Sequence, residues 1–153
     1  MNIRLNEDNI QQEEIIKLMK EAGELCLEEE GLPFDDTTEV SISFVSPLQI
    51  KELNAAYRDK DSETDVLSFP QYETLEEMKK EKNFLCLGDI IICPQIAAIQ
   101  ADECQHSLTR ELVYLMVHSM FHLLGYDHQQ EEQQRIMRKK EEKIMEKIGV
   151  TRT

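Results

Sequence analysis

Residues 108–124, LTRELVYLMVHSMFHLL, read as a helix that is apolar on nearly every side: Leu112, Val113, Leu115, Met116, Val117, Met120, Phe121, Leu123 and Leu124 leave no polar face. A helix with one apolar stripe lies on a surface, whereas one that is apolar all round has to be enclosed by other elements. Ser107 stands where an N-cap is needed. The chain is therefore expected to fold around a buried central helix. That helix also carries His118 and His122, two of only four histidines.

The remaining periodicity supplies the enclosing elements. Ile15, Leu18, Met19, Ala22, Leu25 and Cys26 recur at helical spacing within residues 8–30, on a strongly acidic background. This predicts an amphipathic surface helix ending near Gly31-Leu32-Pro33. Glu39–Val45 alternates polar and apolar residues, the signature of a half-buried strand. Ser46-Pro47 gives an N-cap with proline at the first helical position, opening a helix to about Tyr57. After the polar loop Arg58–Glu63, Asp65–Phe69 reads as a short strand stopped by Pro70. Residues 71–83 are charged and weakly patterned, an exposed helical turn or a mobile insertion. Leu85–Cys93, with Ile90, Ile91 and Ile92 in succession, suits a central strand. Pro94 opens a helix to about Gln105. Residues 129–148 form a last, highly charged helix with a thin stripe of Ile136, Met137, Ile144, Met145 and Ile148. With no repeat, linker or low-complexity tract, residues 1–153 are expected to form a single α+β domain. A small mixed sheet of about four strands would pack with helices around the buried helix.

At 153 residues the chain is long enough to bury a core without staples, and its apolar (41%) and charged (31%) shares are those of a globular protein rather than a disordered one. The start, MNIRLNEDNI, has no apolar run resembling a signal peptide, and no stretch is apolar for long enough to span a bilayer. Cys26, Cys86, Cys93 and Cys104 include no C-x-x-C pair, which reads as reduced thiols and a cytoplasmic location rather than a metal cage. The formal charge of −14 argues against a general nucleic-acid coat protein. Its distribution is uneven: residues 1–50 hold 12 acids and 3 bases, residues 129–153 hold 5 acids and 7 bases. A polyanionic partner would have to be held by a local basic site.

His118, His122 and His128 stand at the spacing H-x3-H-x2-G-x2-H. Histidines four apart on a helix share a face, rotated by only about 40°. Gly125 can end the helix in a left-handed turn that brings the third imidazole back toward the first two. The plain alternative is two core histidines and a surface turn. Yet imidazoles side by side in an apolar helix need partners or a metal. Three imidazoles with an open fourth position make a catalytic zinc site, although iron, nickel or copper accept the same ligands. In zincin peptidases the first histidine is followed by a glutamate that acts as general base. Here that position is Ser119, which cannot take the role. His106 lies about three helical turns upstream of His118 and reads as a helix-start or surface residue. Asp127 can orient a histidine or accept a proton, or it can simply bond its own turn. Arg58 is either a solvated charge or, if its loop faces the metal, a bidentate phosphate clamp.

Four motifs bear on these choices: Leu53-Asn54…Tyr57-Arg58…Asp61, Thr64-Asp65-Val66-Leu67-Ser68-Phe69-Pro70, Leu87-Gly88-Asp89-Ile90, and His118 to His128. In this order and separation the chain resembles the YbeY-type endoribonucleases, metal-dependent rRNA-maturation factors of bacteria. The resemblance implies a zincin-like arrangement with one zinc per chain on His118, His122 and His128, and an important arginine at Arg58. It implies cleavage of single-stranded RNA, with roles in maturing the small-subunit rRNA 3′ end and in late-stage ribosome quality control. The partners would be rRNA and the ribosome or ribosomal proteins, with no membrane involved. The chain departs from the family in having Ser119 where glycine is usual, beside the metal-binding face where it can narrow the site, and Glu63 where proline is usual.

The expected chemistry is metal-assisted phosphodiester hydrolysis, with Arg58 neutralising charge in the transition state. The base is left open between a metal-activated water, Asp127 and an RNA 2′-hydroxyl acting as internal nucleophile. Two rivals stand beside this reading. One is a zincin-like metallopeptidase, disfavoured by Ser119 and by the lack of an evident Met-turn after His128. The other is a non-catalytic ribosome-assembly factor whose zinc only fixes the fold.

Overall fold

The computed structural model describes residues 1–6, 11–127 and 129–150. In chain order the elements are β1 (Asn2–Leu5), α1 (Glu13–Glu29), β2 (Thr38–Phe44), α2 (Pro47–Arg58), β3 (Val66–Pro70), α3 (Leu75–Lys79), β4 (Leu85–Ile92), α4 (Pro94–Glu103), α5 (Leu108–Leu123) and α6 (Glu131–Ile148). The four strands form one mixed sheet in the order β1-β2-β4-β3. β1 and β2 are parallel, as are β2 and β4, and β3 runs antiparallel along the outer edge of β4.

The enclosed helix is α5, which packs against α1, α4, α6, β3 and β4. Leu112, Met116, Val117, Met120 and Phe121 are fully buried, in one cluster with Met19 and Ala22 of α1, Val40 and Ile42 of β2, and Ile90 and Ile92 of β4. The opposite face of the sheet carries a smaller cluster, Ile50, Leu67 and Cys93, flanked by Leu53, Phe69 and Ile91. Strand alternation sends Ile91 to one face and its neighbours Ile90 and Ile92 to the other. Burial on both faces explains why β4 is a near-continuous apolar run, broken only at Gly88 and the exposed Asp89.

One residue keeps β4 in register with its core. Glu39 to Ser41 advances two residues on β2, while the partners Cys86 to Asp89 advance three on β4, so β4 carries a bulge. The extra residue restores the inward direction, and Leu85, Leu87, Ile90 and Ile92 all reach the same core despite their change of parity. Gly88 lies in this bulge at φ +134°. A β-carbon there would stand 2.2 Å from the carbonyl oxygen of Phe69, so only glycine fits.

Several boundaries differ from expectation. β1 is a strand that the polar start did not suggest: three of its four residues are exposed and only Ile3 is half-buried. Pro70 does not stop β3 but closes it, opposite Gly88. An edge strand tolerates the missing N–H where no ladder bond is needed. Of the two expectations for residues 71–83, the exposed helical turn is the one found: residues 75–79 are a short helix capped by the Thr74 hydroxyl and anchored by the buried Met78. On α6 the inward stripe is Met137, Glu141, Ile144 and Met145, whereas Ile136 is exposed.

Candidate metal centre

From Leu115 to Leu124 every residue is buried except His118 and His122. With Tyr114 they form a half-buried stripe at i, i+4 and i+8 along one side of α5. The Nε2 atoms of His118 and His122 face one another at 3.1 Å. Their Nδ1 atoms face acceptors, the Glu141 carboxylate at 2.6 Å and the Tyr126 carbonyl at 3.0 Å. An Nδ1 beside an acceptor carries the proton, which leaves the Nε2 of a neutral imidazole as a lone pair. With both rings neutral, each Nε2 presents a lone pair toward the same point, which a cation there would satisfy. Tetrahedral zinc ligated by imidazole nitrogens at about 2.0–2.1 Å would hold two of them about 3.4 Å apart, so the pair fits such an ion. Among the described residues no group of three His, Cys, Asp or Glu side chains makes a cage, and the third expected ligand, His128, lies outside the described residues.

The turn after α5 is built as its glycine requires. Gly125, at φ +101°, donates its N–H to the His122 carbonyl, and Tyr126 donates to the Phe121 carbonyl. These are the two bonds of a Schellman motif. Its usual hydrophobic contact is present too, the Phe121 and Tyr126 rings meeting edge-to-face at 5.7 Å. The motif aims the Tyr126 carbonyl back at His122. Asp127 accepts from the Gln129 N–H at 3.2 Å, the turn-forming role considered for it.

Arg58 is the last residue of α2 and reaches β3. Its guanidinium donates to the Ser68 carbonyl and lies over the Phe69 ring at 5.0 Å. Tyr57, 69% exposed, meets the same ring edge-on at 5.6 Å. β3 is therefore shared: Arg58 sits along it, and α5 packs against it. Asn54 shapes the loop that follows, its side chain donating to the Ser62 carbonyl at 3.0 Å and its own carbonyl accepting from Lys60.

Ser119 does not narrow the site. It is wholly buried in the core, and its hydroxyl has no hydrogen-bond partner among the described residues. His106 is no ligand either, but it is not merely a surface residue: Nε2 meets the buried Glu111 carboxylate at 2.6 Å. With its amide turned to donate, Gln100 joins Glu111 at 3.2 Å to Asp65 at 3.0 Å, tying the start of β3 to α5.

Two side chains at the site were not singled out in the sequence, Tyr114 and Glu141. Tyr114 stacks on His118 at 5.9 Å and donates its hydroxyl to Glu141 at 3.0 Å. Burial, and then the adjacent carboxylate, push its phenol well above the ordinary tyrosine range, so it remains a donor. A signal for Glu141 existed: a carboxylate occupies the place in the α6 stripe, four residues after Met137, where an apolar residue belongs.

The family described as Endoribonuclease YbeY matches residues 1–149. The chain belongs to the YbeY endoribonuclease family. Relatives named Endoribonuclease YbeY include those of Clostridioides difficile, 46% identical over 92% of this chain and 90% of the relative, and Desulforamulus reducens, 43% identical over 97% and 95%. That of Finegoldia magna is 54% identical over 76% of this chain and 72% of its own length. Among solved structures, a Thermotoga maritima protein studied in solution superposes with a TM-score of 0.65 at 28% identity, covering 95% of this chain and 88% of that one. In this YbeY-family chain the first three motifs fall at the end of α2, on β3 and on the bulge of β4, and the fourth, as far as Asp127, falls on the end of α5 and the turn after it. The first two converge on Arg58 and Phe69, and the third makes the bulge beside Phe69 and Pro70.

Proposed function

We propose that this chain is a single-strand-specific, zinc-dependent endoribonuclease. It would act in rRNA processing, at the small-subunit rRNA 3′ end, and in late-stage ribosome quality control. The observation that carries the reading is the pair of facing Nε2 atoms on α5, in a chain whose relatives are named endoribonucleases. Neither a peptidase nor a non-catalytic assembly factor draws support from those relatives. His118 and His122, with His128, would hold the zinc, and residues 1–153 would act as one metal-dependent domain. Zinc, when bound, supplies a Lewis acid that polarises a phosphoryl oxygen and acidifies a water.

The rest of the chemistry belongs to the chain. Arg58 retains guanidinium donors beyond the one spent on Ser68, enough to clamp a phosphate and neutralise charge developing on it. The exposed face of Tyr57 next to it suits an unpaired base, since splayed bases stack on aromatic rings whereas paired ones cannot. Asp127, beyond its turn bond, is the candidate to orient or accept a proton. A net charge of −14 gives little general attraction to RNA, which supports the ribosome or a ribosomal protein as the partner that delivers the substrate. Four free cysteines, and the absence among the described residues of any helix long and apolar enough to cross a membrane, support a cytoplasmic site of action.

The test pairs elemental analysis with cleavage of single-stranded RNA by the wild type, His122→Ala and Arg58→Ala. Zinc and activity are both expected to be lost in His122→Ala, and activity alone in Arg58→Ala. Activity that survives both substitutions would belong to a contaminant and the reading would fall. Product termini decide the nucleophile, because attack by a 2′-hydroxyl leaves a cyclic phosphate and attack by water does not.

A further inference from the structure

We infer that α6 is the outer shell of the histidine site, and that Glu141 is the positioning residue that sets the tautomer and orientation of His118. The inference rests on the metal-site reading above. Glu141 is 5% exposed, and a carboxylate so enclosed is tolerated only where both oxygens are engaged. One oxygen takes the His118 Nδ1 at 2.6 Å and the other takes the Tyr114 hydroxyl at 3.0 Å. Tyr114 also lies nearly parallel to His118, with 27° between the rings, and so fixes its plane as Glu141 fixes its rotation.

The preceding residue of α6 acts on the other histidine. Lys140 lies over the Tyr126 ring at 5.2 Å and pairs with Glu30 at 3.3 Å. The carbonyl of that same Tyr126 accepts from His122 Nδ1. Two consecutive residues of one helix thus secure both imidazoles from behind, and each Nε2 is left pointing at the shared point. A carboxylate on the far nitrogen also makes an imidazole more basic and a better metal ligand, and removing such a partner weakens metal binding about 10- to 100-fold. An ion pair that merely docked α6 on α5 would instead affect stability and leave the metal affinity of the folded protein unchanged.

Zinc affinity should be measured by competition with a chromogenic chelator for the wild type, Glu141→Gln, Glu141→Ala and Tyr114→Phe. Far-UV circular dichroism and urea midpoints should be recorded alongside. Glu141→Ala is expected to bind zinc about 10- to 100-fold more weakly than wild type, with Glu141→Gln intermediate and Tyr114→Phe weakened by less. If Glu141→Ala does not fold, the near-isosteric Glu141→Gln carries the comparison. Nitrogen-resolved NMR of the metal-free protein gives a second readout: His118 should carry its proton on Nδ1 in the wild type and lose that preference in the Glu141 variants. Wild-type zinc affinity in folded Glu141 variants, or an unchanged His118 tautomer, would overturn the inference. A wild type that binds no zinc but whose tautomer follows Glu141 would instead defeat the metal reading and leave Glu141 in its positioning role.

Discussion

The carbonyl oxygen of Phe69 occupies the space that a side chain on Gly88 would need, 2.2 Å from the position of its β-carbon. The two residues belong to adjacent strands, and Phe69 is the ring on which Arg58 lies. Replacing Gly88 by alanine forces a backbone oxygen to move and strains φ +134° as well, so Gly88→Ala is expected to cost on the order of 2–4 kcal/mol or to prevent folding. Urea denaturation measures this, and a loss below about 0.5 kcal/mol would mean that the bulge does not have this geometry.

Ser119 leads to the opposite expectation. Its buried hydroxyl has no partner among the described residues, so Ser119→Ala removes an unmet hydrogen-bonding group and adds a better helix former. The variant should be more stable by about 1 kcal/mol at unchanged zinc content. Ser119→Gly should be close to neutral, because the flexibility of glycine in a helix offsets the same gain. A clear destabilisation in Ser119→Ala would show that the hydroxyl is engaged after all.

Arg58 should not tolerate lysine. A point charge cannot keep the stacking on Phe69 and clamp a phosphate in two places at once. Arg58→Lys is expected to lower kcat/KM on single-stranded RNA by at least about tenfold, and Arg58→Ala by about 100- to 1,000-fold. Both should retain wild-type zinc content. Recovery of full activity in Arg58→Lys would reduce the residue to general charge.

The docking of α6 has an electrostatic part with a definite pH dependence. Glu29 of α1 accepts from Lys143 of α6 at 3.0 Å, and that bond holds its carboxyl below the ordinary glutamate range. A depressed folded-state value contributes stability above the ordinary carboxylate pKa and loses it as the pH falls through the folded value. For a surface pair the contribution is at most about 1 kcal/mol and shrinks with salt. Lys143→Met should therefore be slightly less stable than wild type at neutral pH and low salt, and the two should converge in strong acid. Equal stability at every pH would remove Lys143 from the account.

Much of this site was legible in the chain because its signals are local. The spacing of His118 and His122 puts both on one face of any helix, and Gly125 announces the Schellman turn that follows. The burial of α5 was equally forced, since a helix apolar all round has no other place to go. Boundaries were less secure where a strand drew its stability from its neighbour. β1 is short and mostly exposed, so nothing in its own residues distinguishes it from a loop until β2 pairs with it.

The sequence by itself determined that a buried helix would carry a pair of imidazoles and that an arginine would stand at the end of a capped helix opened by Pro47. Periodicity and capping act over a few residues, and they suffice for that. Only the tertiary structure decided what stands behind the imidazoles. Glu141 meets His118 across 23 residues of chain, and Ser119, adjacent to that histidine in sequence, turns into the core. Hydrogen bonds between elements depend on how whole helices pack against one another, and no local pattern encodes that distance.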